Sequence, residues 1–124
     1  MREVIRTDTA PTSTSPVAQA TKGGGFVFVG GQMPRDMSSG RIVEGAAAQA
    51  RLSLAHCLAV LAAAGSGPHK VMLADVFLTD LAAKDAVNDA FAEVFGDAPP
   101  ARNLVEVSAI GEGTIVEIAL TALA

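Results

Sequence analysis

Three charged residues interrupt segments of the sequence that are otherwise apolar: Arg102, Glu106 and Glu117. Burying a charge without a partner is costly, so each of these side chains needs a counter-ion, a bound ligand or a water-filled cleft. A fixed guanidinium near a carboxylate is suited to bind a small carboxylic acid and to transfer protons beside it. The alternative is a structural salt bridge, and the residues alone leave both interpretations open.

The other side chains that often act in catalysis lack the necessary arrangement. His56 and Cys57 are adjacent, and successive residues of a helix point about 100° apart, so the two side chains cannot form a catalytic pair. We expect Cys57 in the core, His56 on the surface and His69 in a solvated loop. One cysteine and two histidines supply neither an intrachain disulfide nor the usual tetrahedral zinc set, so no disulfide framework and no structural zinc site are expected.

Length and composition limit the class of protein. The 124 residues fit a single domain over 1–124, and 50% hydrophobic against 18% charged residues indicate a globular core. The net charge is -4 and the arginines occur singly, which argues against a nucleic-acid surface. Residues 1–9 do not form a secretory signal, and the longest apolar run, 57–64, is too short to cross a bilayer. We therefore expect a cytoplasmic protein that binds neither nucleic acid nor membrane.

The spacing of apolar residues predicts two helices. The first covers residues 46–64 and ends at Gly65, which suits a left-handed cap. Its core-facing side has the spacing i, i+3, i+4 and i+7: Leu54, Cys57, Leu58 and Leu61. The second runs from about 81 to 95, with Asp80 as N-cap. Its apolar face is formed by Ala83, Val87, Ala90, Phe91 and Val94.

Strands are predicted where β-branched and other apolar residues cluster, and a loop is predicted at 9–16. The strand segments follow an N-terminal β segment and are 26–29, 71–78, 103–110 and 114–123. The glycines at 111 and 113 predict a tight hairpin between the last two strands, with Glu117 opposite about Val107. Two helices cannot cover both faces of such a sheet, so a two-layer α+β domain is expected.

The last strand predicts an oligomer. Residues 115–123 are apolar at almost every position instead of alternating, which is typical of a strand buried on both faces. Because the sequence holds no third layer, another subunit is the expected cover. Arg102 and Glu117 would lie too far apart to pair within one chain, but they could form a cleft across such an interface.

Short motifs along nearly the whole chain resemble the Rid family, the reactive intermediate deaminases formerly called YjgF, some of which are labelled L-PSP endoribonucleases. Each motif is weak by itself, but their order and spacing together are specific. The motifs are Ala10-Pro11, 15–20 (SPVAQA), 31–34 (GQMP), 49–51 (QAR), 63–65 (AAG), 76–80 (VFLTD), Asn88, 100–102 (PAR), 105–107 (VEV) and 116–118 (VEI).

The resemblance implies a chorismate-mutase-like α+β fold, with a mixed sheet and two helices on one face, and a homotrimer with three clefts between subunits. In the family's deaminases, the arginine matching Arg102 binds the substrate carboxylate and the glutamate matching Glu117 transfers protons. The implied substrates are 2-imino acids and their enamine tautomers. Water converts them to 2-oxo acids and ammonia without a metal or an organic cofactor.

The other site positions of the family are partly changed in this chain. Gly31, Asn88 and the backbone of Leu104 match positions that contact the ligand. The family pattern has Tyr where this chain has Val17, Ser where it has Gly30, and Cys where it has Leu104. Three polar groups are thus replaced by apolar or absent ones, which predicts a pocket with room for larger apolar side chains.

Two functions of different classes stay open from the sequence. One is hydrolysis of imines, and the other is non-catalytic sensing of small carboxylates at the same cleft; Arg102 would serve both. Ribonuclease activity is disfavoured because the acidic charge balance offers no surface for the RNA backbone and no paired histidines for cleavage. Turnover of a freshly generated imine distinguishes the first two.

Overall fold

The computed structural model describes residues 1–124, which form six strands and two helices. The strands are β1 Glu3–Ile5, β2 Ala20–Gly23, β3 Phe26–Gln32, β4 Val71–Leu78, β5 Ala101–Glu106 and β6 Val116–Leu123. The helices are α1 Ala46–Ala63, between β3 and β4, and α2 Lys84–Phe95, between β4 and β5. The predicted mixed α+β class is confirmed, with β2 as a strand that the sequence reading lacked.

All six strands join one mixed sheet in the order β1-β2-β3-β6-β4-β5. Only β4 and β5 run parallel, because the chain crosses over through α2 between them. The remaining neighbours are antiparallel. The strand that comes last in the chain, β6, therefore lies in the middle of the sheet.

Helix α1 packs its apolar stripe against the sheet. Leu54, Cys57 and Leu61 are fully buried as predicted, and the helix ends before Gly65, whose φ of 82° suits a residue without a Cβ. By length and composition alone α1 could cross a membrane, but this apolar stripe is occupied by contacts within the chain. Burial raises the pKa of the Cys57 thiol and leaves it without the thiolate character of a nucleophile.

Helix α2 begins later than the sequence predicts. Residues Leu81–Ala83 form one 3-10 turn, and the predicted cap Asp80 accepts a hydrogen bond from the Ala82 amide at 2.9 Å. The apolar face also differs at its end, because Val94 is 37% exposed whereas Phe95 is buried. The buried residues Val87, Phe91 and Phe95 follow one another at intervals of four, and this spacing continues the core-facing side at Phe95 instead of Val94.

The predicted hairpin between the last two strands is wrong. The crossover through α2 brings β5 alongside β4 in parallel, so β5 lies at the edge of the sheet and never pairs with β6. The chain must then pass over β4 to place β6 between β3 and β4. The glycines at 111 and 113 do adopt positive φ, but they serve this longer connection.

Within one chain strand β6 is buried on one face only, and the cover of its other face by another subunit stays a prediction. Burial alternates along it, with Ile118 and Leu120 in the core and Ala119 and Thr121 half-buried on the other side. No helix covers that second side, called the open face from here on. Its large apolar residues include Val4, Phe26, Phe28, Val105 and Leu123, each at least 40% exposed.

The two histidines differ in their surroundings. His69 is exposed, as predicted. His56 is only 4% exposed, so the prediction of a surface residue is wrong. Its ring nitrogen Nε2 lies 2.7 Å from the backbone carbonyl oxygen of Arg35, because the loop after β3 folds back over α1 and needs a partner for that carbonyl.

Candidate functional site

Glu117 projects from β6 on the open face into a cleft of about 820 Å³. Three positions predicted from the resemblance, Val17, Gly30 and Gly31, line the same cleft. The Glu117 carboxylate takes part in neither ion pair of the structure, and burial raises its pKa. A carboxyl group whose protonated form is favoured by burial in a cleft is suited to donate and accept protons.

Gly31 leaves the space that the Glu117 carboxylate occupies. A Cβ placed on Gly31 would lie 2.9 Å from both Cδ and Oε2 of Glu117, closer than such atoms normally approach. The register of β3 against β6 shifts between Val29 and Gln32, and this bulge brings the glycine alongside the carboxylate. Any larger residue at position 31 would displace Glu117.

Two polar residues of α1 hold the backbone on either side of Glu117. The side-chain oxygen of Gln49 accepts hydrogen bonds from the amides of Ile115 at 2.7 Å and Val116 at 3.1 Å. The Ser53 hydroxyl accepts one from the Ile118 amide at 3.0 Å and donates one to the Gln32 carbonyl at 2.6 Å. Sequence reasoning assigned these residues no role; their signal is two buried polar side chains, four residues apart, in a helix of Ala and Leu.

The mouth of the cleft carries an ion pair between two loops. The Arg35 guanidinium donates two hydrogen bonds to the Glu112 carboxylate. Glu112 lies between two glycines and has a positive φ of 52°. These hydrogen bonds lower the pKa of Glu112 and keep it ionised. Glu117 is therefore the only carboxyl group of the cleft whose pKa is raised.

Arg102 lies elsewhere, on the helix-covered side of the edge strand β5. Its Nη2 donates a hydrogen bond to Oδ1 of Asn88 at 2.8 Å, and its guanidinium carbon lies 5.0 Å from the centre of the Phe91 ring. Neither ion pair of the structure includes Arg102. Leu104, two residues along β5 on the same side, is half-buried against the core. The guanidinium is thus oriented by neutral groups and keeps its charge available for an anion.

A single chain does not bring Arg102 and Glu117 together. Arg102 pairs with Ala74 of β4, which is buried beneath the helices, whereas Glu117 pairs with Phe77 on the open face. The two side chains therefore point to opposite faces of the sheet. The third interrupting charge, Glu106, is exposed and accepts a hydrogen bond from the Leu81 amide at 3.0 Å, so its role is to hold the start of the 3-10 turn.

The raised pKa of Glu117 predicts a pH-dependent effect on stability. Because burial favours the protonated form, the native state is relatively most stable below the ordinary Glu pKa of about 4.3 and loses that advantage as the pH rises through the raised value. Glu117→Gln should therefore raise the Tm by a few degrees at pH 7 and leave it nearly unchanged at pH 4. Calorimetry at both pH values checks this; the exposed Glu44→Gln is the control, and an equal effect of Glu117→Gln at both pH values contradicts it.

Comparison with known proteins gives this arrangement a context. The model of the family described as Endoribonuclease L-PSP matches residues 7–124. The chain belongs to the Rid family. A RutC family protein of Pyrococcus horikoshii is 40% identical over 119 residues, 95% of this chain and 94% of the relative. The 2-iminobutanoate/2-iminopropanoate deaminase of Bos taurus is 34% identical to this Rid protein over 95% of the chain and 87% of the enzyme.

Solved structures share the fold over the full length of this Rid protein. A protein of unknown function of the conserved Rid family from Yersinia pestis superposes with a TM-score of 0.95, at 35% identity and with 100% of both chains covered. TdcF of E. coli, crystallised with bound serine, gives a TM-score of 0.93 at 31% identity over 98% of each chain. The six-stranded sheet with its two helices is thus the fold of the Rid family.

Proposed function

We propose that this Rid protein hydrolyses 2-imino acids and their enamine tautomers to 2-oxo acids and ammonia, in clefts between the subunits of a homotrimer. The observation that carries the proposal is Glu117, a half-buried carboxyl group with a raised pKa and no ion-pair partner, which faces a cleft large enough for a small acid. A carboxyl group of this kind is suited to proton transfer, which supports the proposal. The similarity to an iminobutanoate deaminase agrees with it.

The positions of the two charged groups support a site shared between subunits. Arg102 stands on the edge strand β5, whose outer side has no neighbour, and Glu117 stands on the open face. If the edge of one subunit packs on the open face of the next, the Arg102 guanidinium reaches the cleft that contains the partner's copy of Glu117. The substrate carboxylate then binds the guanidinium through two parallel hydrogen bonds, with the imine carbon near the carboxyl group.

The chemistry needs only water and one proton carrier. The protonated Glu117 donates a proton to the enamine carbon, which gives the iminium ion. The carboxylate then takes a proton from water while the water oxygen bonds to the iminium carbon and the C=N electron pair moves to nitrogen. Glu117 passes that proton to the nitrogen. The C–N bond then breaks, the hydroxyl group gives its proton to the Glu117 carboxylate as the C=O bond forms, and the products are a 2-oxo acid and ammonia. Each step uses Glu117 in alternating protonation states, for which a raised pKa is favourable.

Release of ammonia from freshly generated imines tests the proposed activity. An amino-acid oxidase produces the imine in the cuvette, and semicarbazide traps the fraction that has not been hydrolysed. We expect this Rid protein to lower the trapped fraction in proportion to its concentration. Binding of a 2-oxo acid without any such effect would contradict the deaminase and favour the sensor of small carboxylates that the sequence leaves open.

The trimer is tested by a charge on the open face. Phe28 is 51% exposed on β3, so Phe28→Asp should leave the single chain folded but place three unpaired charges in the expected interface. Light scattering should give the mass of a trimer for the unmodified protein and of a monomer for Phe28→Asp. Met37, 49% exposed in a loop, gives the control Met37→Asp, which should remain trimeric. An unmodified protein of monomer mass at micromolar concentration would contradict the assembly.

A further inference from the structure

Most of the residues that line the cleft beside Glu117 are polar, and the expectation of a pocket with room for larger apolar side chains stays a prediction. Four consecutive hydroxyl residues, 12–15, and the guanidinium-bearing side chains of Arg6 and Arg35 line it. Val17 is one of only three hydrophobic lining residues among sixteen. Hydroxyl and guanidinium groups along this wall are donors that can bind an anionic group.

Arg6 is the cation of this cleft that has no acidic partner. Arg35 is neutralised by Glu112, whereas neither ion pair of the structure includes Arg6. When Glu117 carries its proton, an empty cleft therefore holds one uncompensated positive charge. That charge is additional to Arg102, which lies on the opposite face of the sheet.

The segment around Arg6 is held in place. Arg6 follows β1 directly, and the Gln19 side chain fastens the residues that come next. Its oxygen accepts a hydrogen bond from the Thr7 amide at 2.7 Å, and its nitrogen donates to the carbonyls of Thr7, Ala10 and Pro11 at 3.1, 3.2 and 2.9 Å. These four hydrogen bonds fix the end of β1 relative to the start of the hydroxyl residues 12–15. This wall of the cleft is therefore held in a defined position.

We propose that Arg6 selects substrates with a second carboxylate, so that the preferred imino acids are dicarboxylic. This inference rests on the proposed deaminase. The α-carboxylate binds Arg102 of one subunit, and the side-chain carboxylate binds Arg6 and the hydroxyls of residues 12–15 in the cleft that contains Glu117. Two separate cations for two carboxylates also fix the orientation of the imine carbon toward the carboxyl group.

Paired substrates of equal chain length test the assignment. The imines of glutamate and of norvaline both have five carbons and differ in the second carboxylate. We expect kcat/KM for the glutamate imine to exceed that for the norvaline imine by about 10-fold, the effect of one charge-assisted hydrogen bond. Arg6→Gln should remove this preference by lowering kcat/KM for the glutamate imine far more than for the norvaline imine. Arg2→Gln, an exposed arginine outside the cleft, is the matched control and should keep the preference.

A binding measurement separates this inference from the deaminase itself. Calorimetry with 2-oxoglutarate and 2-oxopentanoate needs no turnover, and we expect only the affinity for the dicarboxylate to fall in Arg6→Gln. If no imine is hydrolysed but this difference appears, the deaminase fails and the role of Arg6 stands. Equal affinities for both acids in the unmodified protein, or an equal loss for both in Arg6→Gln, would overturn the role of Arg6.

Discussion

Glu117→Gln should lower kcat for imine hydrolysis by about 100-fold or more, the range typical of removing a general acid or base. The affinity for a 2-oxo acid should change little, because the amide keeps the size and hydrogen-bonding capacity of the side chain and Gly31 leaves the same space for it. The expected result is thus a protein that binds and does not turn over. Single-turnover kinetics and calorimetry measure the two quantities independently.

Two controls make this result specific to the carboxyl group. Glu44→Gln removes an exposed carboxylate outside the cleft and should retain full activity. Glu112→Gln removes the ionised carboxylate at the mouth of the cleft and should retain most of it, since Glu112 is paired with Arg35. Full activity of Glu117→Gln would show that its carboxyl group is structural, and the sensor would then be the better hypothesis.

Arg102→Ala should weaken binding of 2-oxo acids by about 10-fold to 150-fold, because one lost charge-assisted hydrogen bond contributes about 1.5 to 3 kcal/mol. Arg102→Lys should also bind poorly, since an ammonium group cannot form the two parallel hydrogen bonds of a guanidinium. Calorimetry with a monocarboxylic 2-oxo acid isolates this effect from any second carboxylate. Arg41→Ala, at an exposed arginine, is the control and should bind normally.

The Arg102 variants also test the geometry seen in the chain. Asn88 and Phe91 orient the guanidinium without neutralising it, so Asn88→Ala should raise KM more than it lowers kcat. Unchanged affinity of both Arg102 variants would move the carboxylate site to another residue. Measuring the oligomeric state of each variant beside the affinity excludes a loss that arises from disassembly.

The sequence predicts those parts of the fold in which local pattern and tertiary packing agree. The α1 stripe of Leu54, Cys57 and Leu61 and the cap Asp80 lie where spacing and side-chain chemistry place them. The prediction of the hairpin is wrong because the glycines at 111 and 113 indicate only the local backbone conformation. The pairing of β5 depends instead on the crossover through α2. Pairing between strands that are far apart in the sequence cannot be predicted from any short segment of residues.

The candidate site shows the same division. Glu117 and Arg102 are visible in the sequence as charges within apolar segments, and the resemblance adds Gly31 and Asn88 to them. The roles of Gln49 and Ser53 are not predicted from the sequence, because their hydrogen bonds join α1 to the backbone in and next to β6, more than sixty residues away along the chain. The contribution of Arg6 and the hydroxyl residues 12–15 is not predicted either, since they line the same cleft as Glu117 only after the sheet has formed.

The central position of β6 also governs how the molecule can be made. Until residues 116–123 have been synthesised, β3 and β4 lack the strand that joins them, and both carry edges able to pair with other chains. The β1-β2-β3 part and the β4-β5 part of the sheet therefore cannot be joined until this segment has left the ribosome. A nascent chain that stalls before residue 116 lacks the central strand, and the unpaired edges of β3 and β4 can then pair with other chains. Shortening the C-terminal segment would likewise remove the centre of the sheet and not its margin.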